Sequence, residues 1–402
     1  MSEATVSVTA SPTMSERMRT GLFSGNKSSE PNVPSTLNKN REKEIQHVVF
    51  VKVHKAASTT MHNILMRYAI KHELNVLLPK AGLHINQNGH QIPDDNLSPI
   101  PAGSKYDILS NHLIFDHDEV SSFFPADTFY VGIIREPFSQ FLSAFVYYSQ
   151  IWRHQNLLNV IKDYPDNPIE AFIQYSGRYI GDTKPNTVYV NNRMSVDFGF
   201  PLENFEASKR NHTKIESFLQ QIDAIFDVVL IAEMFDESLV LLRRMLGWTT
   251  KDIIYMDKNV FSGQHAKPSW IQKRDYSAHI KHLFENYAAI DIALYDYFLN
   301  RFEQKLDQQP KDFYAEVEAF KKLKLKITSY CTIMDNRTHP FESLHFPASE
   351  QLNEFTLTPS DCVLMKLEER QITMKTRQVQ EERFLKMGKP RQKFWNRPMQ
   401  PR

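Results

Sequence analysis

The stretch that most constrains this chain is an apolar run, a polar turn and an amphipathic segment in immediate succession at residues 48–74. Its first residues are mostly β-branched and have no helical period, which is typical of a short buried strand. After the turn, apolar residues recur at the spacing of one helical face, which predicts a helix. The strand residues are Val48, Val49, Phe50, Val51 and Val53, and the helix residues are Met61, Ile64, Leu65 and Tyr68.

The turn between this strand and helix has the chemistry of an anion site. Small side chains let an anion approach the backbone, and the first N–H groups of a helix have no intrahelical partner and carry partial positive charge. One lysine adds a full charge, and three hydroxyl groups either bind the same anion or cap the helix. The turn comprises His54, Lys55, Ala56, Ala57, Ser58, Thr59 and Thr60.

The turn differs from the phosphate loop of nucleotide triphosphatases. That loop has glycines at both ends and closes with lysine followed by serine or threonine. Here the lysine comes first and the turn contains no glycine. The difference argues against a kinase.

Composition narrows the class of protein. The chain has 402 residues, a formal net charge of +1 and 41% hydrophobic residues, which is typical of a soluble globular protein. The near-neutral charge gives no reason to expect nucleic acid as a partner. No apolar run is long enough to span a bilayer and the N-terminus lacks the apolar core of a signal peptide, so the chain is predicted to be soluble. Cys331 and Cys362 could form at most one disulfide.

We predict three parts along the chain. Residues 1–44, rich in Ser, Thr, Asn and Pro, are expected to form a disordered leader or stem. Residues 45–327 are expected to form the catalytic domain, with a long loop at 79–104 and helices between 271 and 326. Residues 328–402 form a weakly patterned C-terminal extension that ends in a basic tail.

A second junction of strand and helix follows at Phe129–Ile134. Arg135 stands at the end of this strand, where ligands bind in open α/β sheets, and Pro137 suits the first turn of a helix. We interpret Arg135 as a second phosphate clamp, with a structural ion pair as the alternative. A third strand is predicted at 226–232, followed by a helix at 236–246.

A polar segment lies between the two junctions. Residues 106–120 are predicted to be a short strand followed by a turn that carries two histidines and two carboxylates. Their spacing matches no metal template, so we predict no metal site. The polar residues are Asn111, His112, Asp116, His117 and Asp118.

Four blocks of the sequence resemble the galactose 3-O-sulfotransferase family. They are FVKVHKAASTTMHNIL, YDILSNHLIFDHDEV, FYVGIIREPFSQFLSAFVYY and VVLIAEMFDESLVLLRRMLGW, in the same order as in the family. The resemblance implies an α/β fold of the sulfotransferase type, with a central parallel sheet flanked by helices and a strand-loop-helix site for the phosphosulfate. It also implies 3′-phosphoadenosine 5′-phosphosulfate as the co-substrate, with no metal required.

The family's cofactor motifs match individual residues of this chain. Residues 55–60 would hold the 5′-phosphosulfate, with Lys55 neutralising charge on the bridging oxygen as the bond to sulfur breaks. Arg135 and Ser143 would bind the 3′-phosphate. The acceptor would be the 3-hydroxyl of a terminal β-galactose on a glycolipid or a glycoprotein glycan.

A base is needed to take the proton of that hydroxyl, and a neutral imidazole suits the task. His112 is our first choice and His54 the second, with orientation of the phosphate loop as the alternative role of His54. We expect sugar contacts from residues 79–104 and from the region around Arg193. The resemblance further implies residence in the Golgi lumen, although the sequence contains no visible membrane anchor.

Two other functions fit the same motifs. One is a sulfotransferase for a different sugar hydroxyl, such as a uronic acid in a glycosaminoglycan, and the near-neutral charge of the chain disfavours such a polyanionic acceptor. The other is a carbohydrate-binding relative that has lost turnover, against which the complete set of Lys55, His112, Arg135 and Ser143 argues.

Overall fold

A parallel sheet of five strands forms the centre of the fold in the computed structural model, which describes residues 44–86, 91–180, 184, 188–203, 205–256, 276–334 and 342–387. The strand order is β2-β3-β1-β4-β5. The architecture expected from the resemblance, a parallel sheet flanked by helices, is confirmed, as are the four predicted strands, which correspond to β1, β3, β4 and β5. The strands are β1 (Val48–Val51), β2 (Val76–Leu77), β3 (Ile108–Leu109), β4 (Phe129–Ile134) and β5 (Val228–Ile231).

Helices cover the sheet and continue to the C-terminal part of the chain. In chain order they are α1 (Ser58–Lys71), α2 (His117–Ser121), α3 (Pro137–Gln150), α4 (Gln155–Asp163), α5 (Pro168–Ile180), α6 (Arg193–Asp197), α7 (Phe205–Ser208), α8 (His212–Ile225), α9 (Phe235–Leu246), α10 (Thr250–Ile253), α11 (Ala278–Tyr287), α12 (Ala289–Asp307), α13 (Phe313–Met334), α14 (Pro359–Lys366) and α15 (Glu369–Met387). A short antiparallel pair, β6 (Leu344–Phe346) and β7 (Phe355–Leu357), lies between α13 and α14.

The position of β1 in the middle of the sheet explains its composition. Val48 pairs with Ile108 of β3 on one side and with Phe129 of β4 on the other. A parallel strand covered on both faces has no polar side, so every residue of β1 is apolar and fully buried. Because parallel strands end at the same edge, the turn after β1 and the residue after β4 become neighbours.

A glycine in β4 sets how closely the next layer approaches the sheet. A Cβ atom added to Gly132 would lie 2.4 Å from the ring of Phe198, so only glycine admits this ring against the strand. Phe198 directly follows α6. The contact therefore fixes the distance of α6 from the end of β4.

The C-terminal part of the chain contains more regular structure than its weak pattern indicates. Helix α13 crosses the predicted boundary at 327, and α15 packs along α1. The side chain of Gln380 accepts from the main-chain N–H of Val76 at 2.7 Å, and Arg383 donates to Asn75 at 2.6 Å. Polar bonds of this kind leave no apolar period for sequence analysis to detect. The division into domains stays a prediction. Residues 1–43 of the predicted leader (1–44) and the last residues of the tail, 388–402, lie outside the described residues.

The two cysteines form a disulfide that joins α13 to α14. Cys331 and Cys362 are both fully buried, and their Cα atoms lie 5.4 Å apart. The bond closes a loop with a sequence separation of 31. Such a bond belongs to an oxidising compartment.

Removal of this disulfide should destabilise the protein. We expect the double variant Cys331→Ala, Cys362→Ala to lose about 3–4 kcal/mol of unfolding free energy, because its unfolded chain is no longer restrained. Urea denaturation in oxidising buffer measures the difference. Reductant should bring the wild type to the midpoint of the variant, and equal midpoints before reduction would mean that the bond does not form.

Candidate active site

The turn after β1 has a strained backbone that side-chain bonds hold in place. Lys55 has a φ of 62° and Ala57 a φ of 58°, left-handed values that cost a residue other than glycine about 1–3 kcal/mol each. The Ser58 hydroxyl donates to the carbonyl of Val53 and accepts from the Lys52 Nζ at 3.2 Å. These bonds close the turn over the start of α1 and offset the strain.

The hydroxyl groups of the turn make bonds other than helix caps. Ala57 is the N-cap residue of α1 and provides no side-chain bond to the first amides. Ser58 bonds within the turn, while the Thr59 hydroxyl donates to Glu369 Oε2 at 3.3 Å. The N–H of Thr60 donates to the carbonyl of Ala57 at 3.1 Å, so the amides before Thr60 are the ones that an anion would meet.

Two cations from separate junctions meet at this edge of the sheet. Nη1 of Arg135 donates to the main-chain carbonyl of Lys55 at 3.2 Å. The Nζ of Lys55 lies 3.8 Å from the ring centroid of Tyr147. Arg135 also lies 3.9 Å from a carboxylate oxygen of Glu233, a long contact with partly exposed partners. Ser143 lies on α3, the helix that follows Arg135, and is half-buried. Both cations therefore border the open start of α1.

The electrostatic environment of Lys55 makes its charge sensitive to pH. Burial lowers the pKa of Lys55 to about 8, and the positive charges of Lys52 and Arg135 act in the same direction. An anion bound between these groups would stabilise the protonated form and raise that pKa.

His54 is fixed by a buried carboxylate. Its main-chain N–H donates to Asp197 Oδ2 at 2.8 Å, and its ring Nδ1 lies 2.8 Å from the same oxygen. Nε of Arg193 also approaches this Nδ1, at 3.3 Å. The shorter contact with the carboxylate, which can only accept when ionised, favours the hydrogen on Nδ1 and the lone pair on Nε2. Arg193 pairs with Asp197 Oδ1 at 2.6 Å, and the amide of Gln140 donates to the carbonyl of His54 at 3.0 Å. Burial, followed by the charge of Arg193, lowers the pKa of His54 well below its usual value.

The short helix α6, which carries Arg193 and Asp197, is anchored from α12. Asn192 Oδ1 accepts from the main-chain N–H groups of Ile290 and Asp291, and Asp291 accepts from both the N–H and the hydroxyl of Ser195 at 2.7 and 2.6 Å. Burial raises the pKa of Asp291 to about 6. These bonds place the carboxylate of Asp197 beneath His54.

His112 comes from the segment after β3 and stacks on His54. The two ring centroids are 4.0 Å apart. Nδ1 of His112 lies 3.1 Å from the carbonyl of Lys52, so Nδ1 carries the hydrogen and Nε2 the lone pair. Burial lowers the pKa of His112 well below its usual value, the charge of Lys52 acts in the same direction, and protonation of His54 would do so too. Both imidazoles are therefore neutral near pH 7.

The two histidines line one pocket together with residues from the regions where we expected sugar contacts. His84 and Asn86 belong to the loop at 79–104, and Arg193 begins α6. The ring of His84 lies 5.1 Å from that of His112. The lining residues are His54, His84, Asn86, His112, Leu113, Ile114, Tyr189 and Arg193.

The other polar residues near His112 in sequence lie elsewhere. Asp116 caps α2 by accepting from the N–H of Glu119 at 3.0 Å, and the ring of His117 packs 5.4 Å from that of Tyr130. Within the described ranges, no group of three or more His, Cys, Asp or Glu side chains has the arrangement of a metal site.

Sequence analysis missed three charged residues of the site. Lys52 was visible as a lone charge between Val51 and Val53, in a strand that is otherwise apolar. Asp197 and Glu369 carry no local signal, because each contacts residues more than a hundred positions away.

A family model described as Galactose-3-O-sulfotransferase matches residues 6–344. The chain belongs to this family. Human galactose-3-O-sulfotransferase 3 is 31% identical over 257 residues, 62% of this chain and 55% of that protein. Human galactose-3-O-sulfotransferase 2 is 28% identical over 314 residues, 74% of each chain. Human galactosylceramide sulfotransferase is 28% identical over 218 residues, 53% of this chain and 48% of that protein.

The matched part spans about half the length of the first and third of these relatives. Among the residues that the structure describes, no helix has the length and hydropathy needed to cross a membrane. The family match ends before α14 and α15, so the helix that brings Glu369 to the site lies outside it.

Proposed function

We propose that this protein transfers a sulfuryl group from 3′-phosphoadenosine 5′-phosphosulfate to the 3-hydroxyl of a terminal β-galactose. One observation carries the proposal: the turn that carries Lys55 and contacts Arg135 also supplies His54, which lines one pocket together with His112. Membership of the family supports the sulfotransferase class. The names of the relatives support galactose as the acceptor sugar, on a glycolipid or a glycan.

The donor would lie along the edge formed by the two junctions. The turn from Ala56 to Thr60 would bind its 5′-phosphosulfate through the amides before Thr60 and the hydroxyl groups, while Arg135 and Ser143 would bind its 3′-phosphate. Lys55 would neutralise the bridging oxygen as that oxygen leaves sulfur. A sulfuryl group carries less charge than a phosphoryl group, so these protein groups suffice without a metal ion.

The acceptor hydroxyl would enter the pocket beside His112. Nε2 of His112 takes the hydroxyl proton as the oxygen forms a bond to sulfur, and the bond from sulfur to the phosphate oxygen breaks. The products are the sulfate ester, 3′-phosphoadenosine 5′-phosphate and protonated His112. His54 is the alternative base, although its ties to Asp197 and Gln140 favour a role in orienting the turn.

The disulfide supports an oxidising compartment for the protein. We propose residence on the lumenal side of the Golgi membrane, where galactose-terminated acceptors would be available.

Transfer of radiolabelled sulfate to a panel of acceptors tests the function. The panel contains galactosylceramide, lactosylceramide, a β-galactosyl N-acetylglucosamine glycan and desulfated heparan, with chelator present throughout. We expect label on at least one galactoside, and about a hundred- to a thousandfold less with Lys55→Ala protein. Label on the heparan alone would replace galactose by a glycosaminoglycan acceptor. Nucleotide binding without any transfer would favour a non-catalytic relative.

A further inference from the structure

We propose that Glu369, supplied by the C-terminal helix α15, is a positioning residue that stabilises the protonated form of His112 and holds Lys52 beneath the anion turn. The inference rests on the proposed function, because it assigns His112 a proton to hold. Nothing in the family match covers this residue, since that match ends at 344.

The carboxylate of Glu369 lies between three polar groups of the site. Its Oε2 lies 3.4 Å from the Nζ of Lys52 and accepts from the Thr59 hydroxyl at 3.3 Å. Its Oε1 lies 3.5 Å from Nε2 of His112. One carboxylate therefore contacts both the turn at residues 54–60, called here the anion turn, and the proposed base His112.

The Oε1 atom of Glu369 is a hydrogen-bond acceptor that lacks a donor. It is buried and has no hydrogen-bond partner within the described part of the chain. A buried carboxylate oxygen without a partner is costly. When Nε2 of His112 gains a proton, it becomes a donor that faces this oxygen, and the cost is removed.

The surrounding charges keep the Glu369 carboxylate ionised. Burial alone would favour its protonated form, but the positive charge of Lys52 prevails and lowers the pKa of Glu369, with smaller contributions from His112 and His62. In return, the negative charge of Glu369 raises the proton affinity of His112. The other groups that act on His112 are His54, His84 and Lys52, and all three disfavour its protonation.

Glu369 is also suited to keep Lys52 charged. The Lys52 side chain is 1% exposed, and burial lowers its pKa, whereas Glu369 opposes that change. Protonated Lys52 donates to Ser58 and lies 3.5 Å from the Thr59 hydroxyl, the two residues at the start of α1. The ion pair between Glu369 and Lys52 thus holds in place the ammonium that bonds to the start of α1.

In the proposed step, the O–H bond of the acceptor breaks and an N–H bond forms at Nε2 of His112. The carboxylate of Glu369, 3.5 Å from Nε2, stabilises the charge created on His112, and the new N–H is donated to Oε1 once the sulfated product has left. Glu369 takes no proton and contacts neither substrate. The same proton leaves His112 for solvent after the products dissociate.

The chain offers a matched control on the same helix. Thr373 follows Glu369 by one turn, and its hydroxyl lies 2.9 Å from Nε2 of His62. Thr373→Val removes this attachment of α15 to α1 and the bond from the Thr373 hydroxyl to the main-chain carbonyl of Glu369. It leaves the carboxylate of Glu369 and the side chains of His112 and Lys52 in place. Comparison with Glu369→Gln separates the attachment of the helix from the effect of the carboxylate.

The experiment measures kcat between pH 5 and pH 9 for the full chain, together with the binding of 3′-phosphoadenosine 5′-phosphate by calorimetry. We expect Glu369→Gln to lower kcat by roughly ten- to a hundredfold and to weaken nucleotide binding severalfold, because Lys52 loses the ion pair that holds it against the turn. The fall of kcat in acid should move to lower pH, because His112 loses the charge that favours its protonation. Thr373→Val should retain the wild-type kcat and pH profile.

If Glu369→Gln kept the wild-type kcat and the wild-type pH at which kcat falls in acid, the inference would be overturned. It would also be overturned if Thr373→Val moved the acid fall of kcat as far as Glu369→Gln does. Glu369→Asp keeps the charge, so its acid limb should remain nearer that of the wild type even where kcat falls, and it serves if the glutamine variant does not fold. Wild-type protein that binds the nucleotide but transfers nothing would instead refute the proposed function.

Discussion

Replacement of Lys55 by alanine should lower kcat/KM for the sulfuryl donor by about a hundred- to a thousandfold, because the turn loses the charge that stabilises the leaving oxygen. The remaining amides of α1 and the guanidinium of Arg135 would still bind the nucleotide weakly. Initial rates at subsaturating donor measure the effect.

The same lysine predicts how activity depends on pH. Lys55 has a pKa of about 8 without ligand, so kcat/KM should fall as pH rises through 8 and the lysine becomes neutral. The fall of kcat should occur at higher pH, because the bound anion raises this pKa.

Lys55→Arg is the control for this assignment. A guanidinium stays protonated throughout the range, so the variant should lose the alkaline fall of kcat/KM even if its rate is reduced. An alkaline limb that persists in Lys55→Arg would assign the titration to another group.

Replacement of His112 by alanine should lower kcat by about a hundredfold or more, because the acceptor hydroxyl loses its base. Nucleotide binding should stay within about threefold, since the ring does not belong to the anion turn. In the wild type, the pKa of His112 is held well below its usual value of 6.5. His112 therefore becomes protonated, and activity falls, only at a pH below 6.5.

Two further histidine variants make this test specific. His117→Ala removes a half-exposed imidazole five residues later, and we expect its kcat within twofold of the wild type. His54→Asn should weaken nucleotide binding by loosening the turn. If His112→Ala kept most of its turnover while His54→Asn lost turnover with normal nucleotide binding, the role of the base would pass to His54.

The junctions of strand and helix were predictable because their signals are local. The change from a β-branched run to helical period at residues 48–74 and the run at Phe129–Ile134 identified β1, α1 and β4. Lys55 and Arg135 were found because they stand at strand ends, where parallel strands bring their loops together. Their contact in the structure follows from that rule.

The turn after β1 shows the limit of local patterns. No glycine marks it, yet Lys55 and Ala57 adopt left-handed conformations. Hydrogen bonds from the side chains of Ser58 and Lys52 hold this backbone. Sequence patterns do not predict such bonds. The weak pattern after residue 327 has a similar origin, because α15 is attached by Gln380, Arg383 and other polar groups.

The sequence by itself determined the junctions of strand and helix and the positions of the two cations at the strand ends, since each depends on residues a few positions apart, and the parallel sheet was expected from the family resemblance. Only the tertiary structure decided which carboxylates contact His54 and His112. Asp197 lies 143 positions from His54, and Glu369 comes from a helix near the C-terminus. Periodicity and capping act over a few residues, whereas an ion pair forms wherever the packing of distant segments brings two charges together.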